Sequence, residues 1–155
     1  MPIMDTLTKF CDAEDCAGTA AVRLEGSQID LGAKHRDPGN GKPVYLVVQV
    51  TTAFASSGSA VVEIQLVSDD SASIAVDGSA TVHLSLGALP YTDLTLNKRF
   101  CVALPSEGNV YERYLGILVD TSGATTSTGA ITAFLTPDPL GWQAYPEATS
   151  YNLND

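Results

Sequence analysis

Asp69 and Asp70 stand side by side just past an apolar run, and paired carboxylates are what a glycoside hydrolase needs. That chemistry requires a second acid about 5–9.5 Å away on a neighbouring strand. The sequence offers no evident candidate, so a solvated turn capped by aspartate oxygens is the simpler reading. His83 alternates with Thr81 and Ser85. A general base needs a nucleophile and an orienting acid, and no G-x-S-x-G elbow supplies the nucleophile. His83 is therefore expected on the polar face of its strand, as a surface or interface histidine. His35 falls in AKHRDPGNGKP, which contains Asp37 and Asn40 but lacks the alternate-position oxygens of a calcium loop. It reads as part of a mobile turn.

The three cysteines, Cys11, Cys16 and Cys101, do not form a metal knuckle. Cys11 and Cys16 are five apart with carboxylates between them, and His35 and His83 are too isolated to complete a zinc site. Free thiols in a reducing compartment are the expectation. Glycines at 58, 78, 87, 108, 123 and 129 punctuate strand-like runs instead of joining a strand to a helix, so no phosphate loop is read. The residues predict no catalytic group, no metal and no cofactor, and so no enzyme.

The elements that must position these residues are strands. In 60–68, Val62, Ile64 and Leu66 point one way and Glu63 and Gln65 the other. In 81–87, Val82, Leu84 and Leu86 oppose Thr81, His83 and Ser85, and 99–105 places Phe100, Val102 and Leu104 on one face. Residues 44–54 carry Leu46, Val48, Val50 and Phe54 on one side and Tyr45 and Val47 on the other, the pattern of a central strand covered on both faces. Residues 111–119 and 128–136 read as a pair joined by the hairpin tip DTSGATTS. Weaker strands are predicted at 29–31 and 73–76, the latter ending at the Asp77-Gly78 turn signal, with a further edge strand at 20–24. The one plausible helix is a turn or two within 4–13.

About eight strands at such spacing predict an all-β, antiparallel two-sheet sandwich, with a jelly roll favoured; periodicity alone does not separate it from an immunoglobulin-like Greek key. The chain divides into an N-terminal arm or edge segment (1–28), a sandwich core (29–136) and a Pro- and aromatic-rich C-terminal arm (137–155), together one domain. At 155 residues it buries about two-thirds of its unfolded surface.

Charge narrows the partners. With 18 acidic and 8 basic residues the net charge is −10, which repels nucleic acid and anionic lipid unless cations cluster. Lys98-Arg99 and Lys34…Arg36 are the nearest to clusters, so no nucleic-acid role is expected. No run approaches the ~20 apolar residues that span a membrane. Asp5, Asp12, Glu14 and Asp15 interrupt any signal-peptide pattern, and synthesis in a cytoplasm is expected. In the exit PDPLGWQAYPEATSY, Pro137, Pro139 and Pro146 exclude a regular central strand. Trp142, Tyr145 and Tyr151 there, with Phe10 near the other end, are the candidate partner-interface residues, because such rings dominate interface hot spots. Trp142 plugging the end of the sandwich is the competing reading.

Several segments together resemble the jelly-roll capsid cement, or head decoration, proteins of tailed bacteriophages. They are IDLG (Ile29–Gly32), KPVYLVVQV, SDD (Ser68–Asp70), SIAVDGSATVHLSLG (Ser73–Gly87), VYERYLGI and AITAFLTPDPLGWQAYP. The resemblance spans about residues 29–146; CDAEDC matches nothing in that pattern. It implies a β jelly roll on the outer surface of an icosahedral head, made in the host cytoplasm. It also implies clamping of neighbouring major capsid protein subunits, and a homodimer or possible trimer. A carbohydrate-binding sandwich, stacking sugars on Trp142 or exposed tyrosines, is the alternative expectation.

Overall fold

The computed structural model describes residues 5–32, 38 and 41–139. Eight strands follow in order: β1 Lys9–Asp15, β2 Val22–Asp30, β3 Tyr45–Ser56, β4 Val61–Asp69, β5 Thr81–Pro90, β6 Arg99–Ala103, β7 Tyr114–Ser122 and β8 Thr126–Thr136. They form two four-stranded antiparallel sheets, ordered β1-β8-β3-β6 and β2-β7-β4-β5. Consecutive strands alternate between the sheets except for the β4–β5 hairpin, and first and last strands pair. That order is a jelly roll, which settles the choice that periodicity left open. Among the described residues, helix is confined to two three-residue 3-10 turns, Thr6–Thr8 and Tyr91–Asp93. The helix expected within 4–13 is thus one 3-10 turn followed by β1. Asp5 caps it, accepting the Leu7 N–H at 2.9 Å.

The core lies between the sheets, where Leu46, Val48 and Val50 of β3 belong to the same cluster as Ile64, Leu66 and Ile117. β3 is buried on both faces, as its composition predicts: Val47 and Gln49, on the side away from that cluster, are 1% and 3% exposed.

Three expectations are corrected. The runs predicted as a hairpin, now β7 and β8, lie in different sheets and face each other across the core. Their connection crosses between sheets and is shorter than DTSGATTS. It turns at Gly123 (φ +77°), where a Cβ would sit 2.6 Å from the Ser59 carbonyl oxygen. Alternation fixes which residues face inward but carries no record of which sheet receives them.

The strand predicted at 73–76 is absent. Asp69 accepts N–H groups from Ser71 (2.8 Å) and Ala75 (3.0 Å), folding the β4–β5 connection back on itself. Ile74 is thereby pressed onto Val67, Leu118 and Ala80, a second small cluster. Gly116 leaves the room: a Cβ there would overlap the Ile74 Cδ1 and stand 2.8 Å from Leu24 Cδ1.

The edge strand predicted at 20–24 and the short run at 29–31 are one strand, β2, broken by a bulge between Glu25 and Ile29. The described part of 1–28 contributes an edge strand to each sheet, β1 to one and β2 to the other.

Candidate functional site

His83 is where sequence and structure part most. The β4–β5 ladder shifts register between Leu66 and Val67, with Leu66 opposite Leu84 and Val67 opposite Val82. An extra residue in one strand of a pair reverses the alternation on either side of it. Val82, expected inside with Leu84, is consequently 43% exposed, and His83 is half-buried instead of solvent-facing. Its ring stacks on Tyr111, centroids 3.9 Å apart and planes 15° from parallel. Its Nε2 lies 2.7 Å from Ser68 Oγ. Ser68 is fully buried and also accepts the Glu112 backbone N–H at 3.1 Å. Burial pushes the imidazole below its ordinary pKa.

Serine and histidine at 2.7 Å resemble the start of a nucleophilic pair. Ser68, however, has no exposed surface, and its oxygen serves the Glu112 amide. Its place among Val62, Ile64 and Leu66 on the inward parity of β4 was the available signal: a polar residue on an apolar face must find a partner.

The aspartates behave as read. Asp69 caps the turn through the two N–H groups described above, and Asp70 is exposed beyond it. A cluster that sequence reasoning missed lies at the β1–β2 connection. Glu25 is 6% exposed and pairs with Arg23 at 3.2 Å. Arg23 also donates to the carbonyls of Cys16 (2.5 Å) and Thr19 (3.1 Å). Burial raises the Glu25 carboxyl pKa, and the Arg23 guanidinium opposes that rise. At the opposite end of β2, Arg113 grips Asp30 with two bonds of 2.9 Å, holding that carboxyl below its ordinary range. A shallow groove of about 310 Å³ beside β1, β3 and β8 is lined by small residues and Asp15, whose carboxylate already accepts the Ala17 N–H.

The three thiols are free. Cys11 is buried, and desolvation pushes it up to about 12; burial raises Cys16 as well. Cys101 is exposed on β6. Since the thiolate is the reacting form, a pKa near 12 leaves roughly one Cys11 in ten thousand ionised at about pH 8. An alkylating reagent on the native protein should label Cys101 within minutes and the other two only on unfolding, as peptide mass mapping would show. Rapid labelling of Cys11 or Cys16 would contradict this packing.

Of the candidate interface residues, Phe10 is 2% exposed and belongs to the main core cluster, so its ring is committed to packing against the rest of the sandwich. Trp142, Tyr145 and Tyr151 lie outside the described residues, as does His35. Three of the four edge strands, β1, β2 and β5, carry register shifts against their neighbours, whereas β6 pairs with β3 without interruption from Arg99 to Ala103. A family model described as Bbp16 matches residues 10–135, which spans all eight strands but for their outermost residues. No curated protein matches the chain.

Proposed function

We propose that this chain, which belongs to the Bbp16 family, is a structural virion protein that binds the outside of an icosahedral phage head. It stabilises the head by clamping neighbouring major capsid protein subunits, and it acts as a homodimer. The observation that carries this reading is the jelly roll itself, in the strand order β1-β8-β3-β6 over β2-β7-β4-β5. That is the architecture implied by the resemblance to phage cement proteins, and membership of the Bbp16 family is compatible with a phage protein. The net charge of −10 suits the outer face of a shell better than a surface lining packaged DNA.

A clamp works by binding the assembled lattice better than the free subunit, which shifts the assembly equilibrium by mass action. A dimer bridging two subunits makes its second contact intramolecular, so two weak contacts hold firmly. β6 is the edge best suited to such a contact, because a regular edge accepts another strand and bulges discourage one. A bulky maleimide on the exposed Cys101 should then block attachment to heads, with the unlabelled protein as control; undiminished attachment would remove β6 from the account.

The stabilising role is tested by heating bare and decorated heads side by side and following DNA release. Decorated heads should hold their DNA to a higher temperature, and coincident release curves would remove the clamp. The carbohydrate reading depends on Trp142, outside the described residues, or on exposed tyrosines; the described tyrosines, Tyr45, Tyr91, Tyr111 and Tyr114, are buried or half-buried, and no observation favours it.

A further inference from the structure

We propose that His83 is an acid-released latch on the β6–β7 connection, residues 104–113. Donor counting sets its resting state. Ser68 Oγ accepts the Glu112 N–H at 3.1 Å, and the hydroxyl is fully buried, so its own proton needs an acceptor. Among the described residues His83 Nε2, 2.7 Å away, is the acceptor in reach. This assigns the ring proton to Nδ1 and makes the imidazole neutral. The connection is thus fastened twice at one point, by the Glu112 amide on Ser68 and by the Tyr111 ring on His83. Tyr111 is buried and donates its hydroxyl to the Pro105 carbonyl at 2.9 Å, which ties the far end of the loop to the same anchor. Between these ties the chain is exposed and presents Val110, 55% accessible.

Protonation undoes the arrangement. Nε2 becomes a donor, so two N–H groups aim at one hydroxyl oxygen, and the buried Ser68 proton loses its acceptor. Stacking of the cation on Tyr111 offsets part of this. Burial disfavours the charged ring and lowers the His83 pKa. Among the described residues the titratable neighbours are these. The loop brings the Tyr111 phenol and Glu112, and β4 brings Asp69, occupied by the Ser71 and Ala75 amides. Further along, Glu63 of β4 accepts the Ser85 hydroxyl at 2.6 Å.

The sign follows from the direction of the shift. With the latched pKa below the ordinary 6.5, the released loop takes up the proton more readily than the latched one. The latch holds above about pH 6.5 and weakens as pH falls from there to the latched value, the released population rising up to tenfold per pH unit across that window and levelling off below it. Amide exchange of the full chain, corrected for intrinsic rates, should show Glu112 protection falling between roughly pH 7.5 and 5, with far-UV circular dichroism unchanged. His83→Gln keeps an acceptor and cannot titrate, so its Glu112 protection should be the same at both pH values. Unchanged protection in the wild type, or an equal fall in His83→Gln, would overturn the latch. So would an NMR titration of the wild-type ring with a midpoint at or above about 6.5, a measurement that needs no variant.

Discussion

Gly26→Val is expected to lower the thermal midpoint by about 6–20 °C, from a destabilisation of about 3–5 kcal/mol. Gly26 sits in the β2 bulge at φ +72°, the left-handed region that β-branched residues avoid. Any Cβ there would overlap the Phe10 carbonyl oxygen and lie 2.6 Å from Cys11 Cβ, both on β1. β1 and β2 are edge strands of different sheets, so this glycine is where the sandwich closes on one side. Gly78 separates the two effects: at φ +89° it has a similar backbone but nothing within 4 Å of its Cβ position. Gly78→Val should cost only the backbone strain, about 1–2 kcal/mol. If calorimetry finds the two variants equally destabilised, the close approach of β1 to β2 is wrong.

Leu66→Ala should cost about 2–5 kcal/mol, or roughly 5–15 °C. Leu66 is fully buried in β4, an interior strand of its sheet, and lies in the main core cluster with Ile64, Ile117 and Phe10. Truncation removes buried methyl groups and leaves a cavity that a sheet, pinned by ladders on both sides, closes poorly. Leu96, 54% exposed, supplies the contrast: Leu96→Ala should fall within about 0.5 kcal/mol of the wild type. A Leu66→Ala variant as stable as Leu96→Ala would mean that the core is not packed as described.

The parts of this fold legible in the sequence are those that alternation alone decides. Val62, Ile64 and Leu66 face the core, as do Leu115, Ile117 and Val119, and β3 is apolar on both sides because both sides are buried. What stayed hidden depends on contacts distant in sequence. The bulge that turns His83 inward and Val82 outward is a register shift between β4 and β5, which neither strand records by itself. The partners of β7 are β2 and β4, not the neighbouring β8, because the chain crosses sheets at Gly123. Ile74 reads as strand by composition but serves as a lid, made possible by Asp69 five residues earlier and Gly116 far along the chain. Phe10, a candidate interface residue in the sequence, is taken into the core by the sandwich. For the candidate site, the sequence supplied His83 but not Ser68, Tyr111 or the Glu112 amide around it.

If β6 meets the capsid at one side of the sandwich and the 104–113 loop is latched by His83, partner contact and loop control occupy separate features of one scaffold. Neither depends on the other: the latch is read from exchange at Glu112, the clamp from binding to heads. The clamp is tested most directly by co-sedimentation of the purified protein with mature heads of its phage stripped of decoration, with procapsids alongside. The account predicts saturable binding to mature heads at a fixed ratio to the major capsid protein. Absence of binding to either form would contradict it.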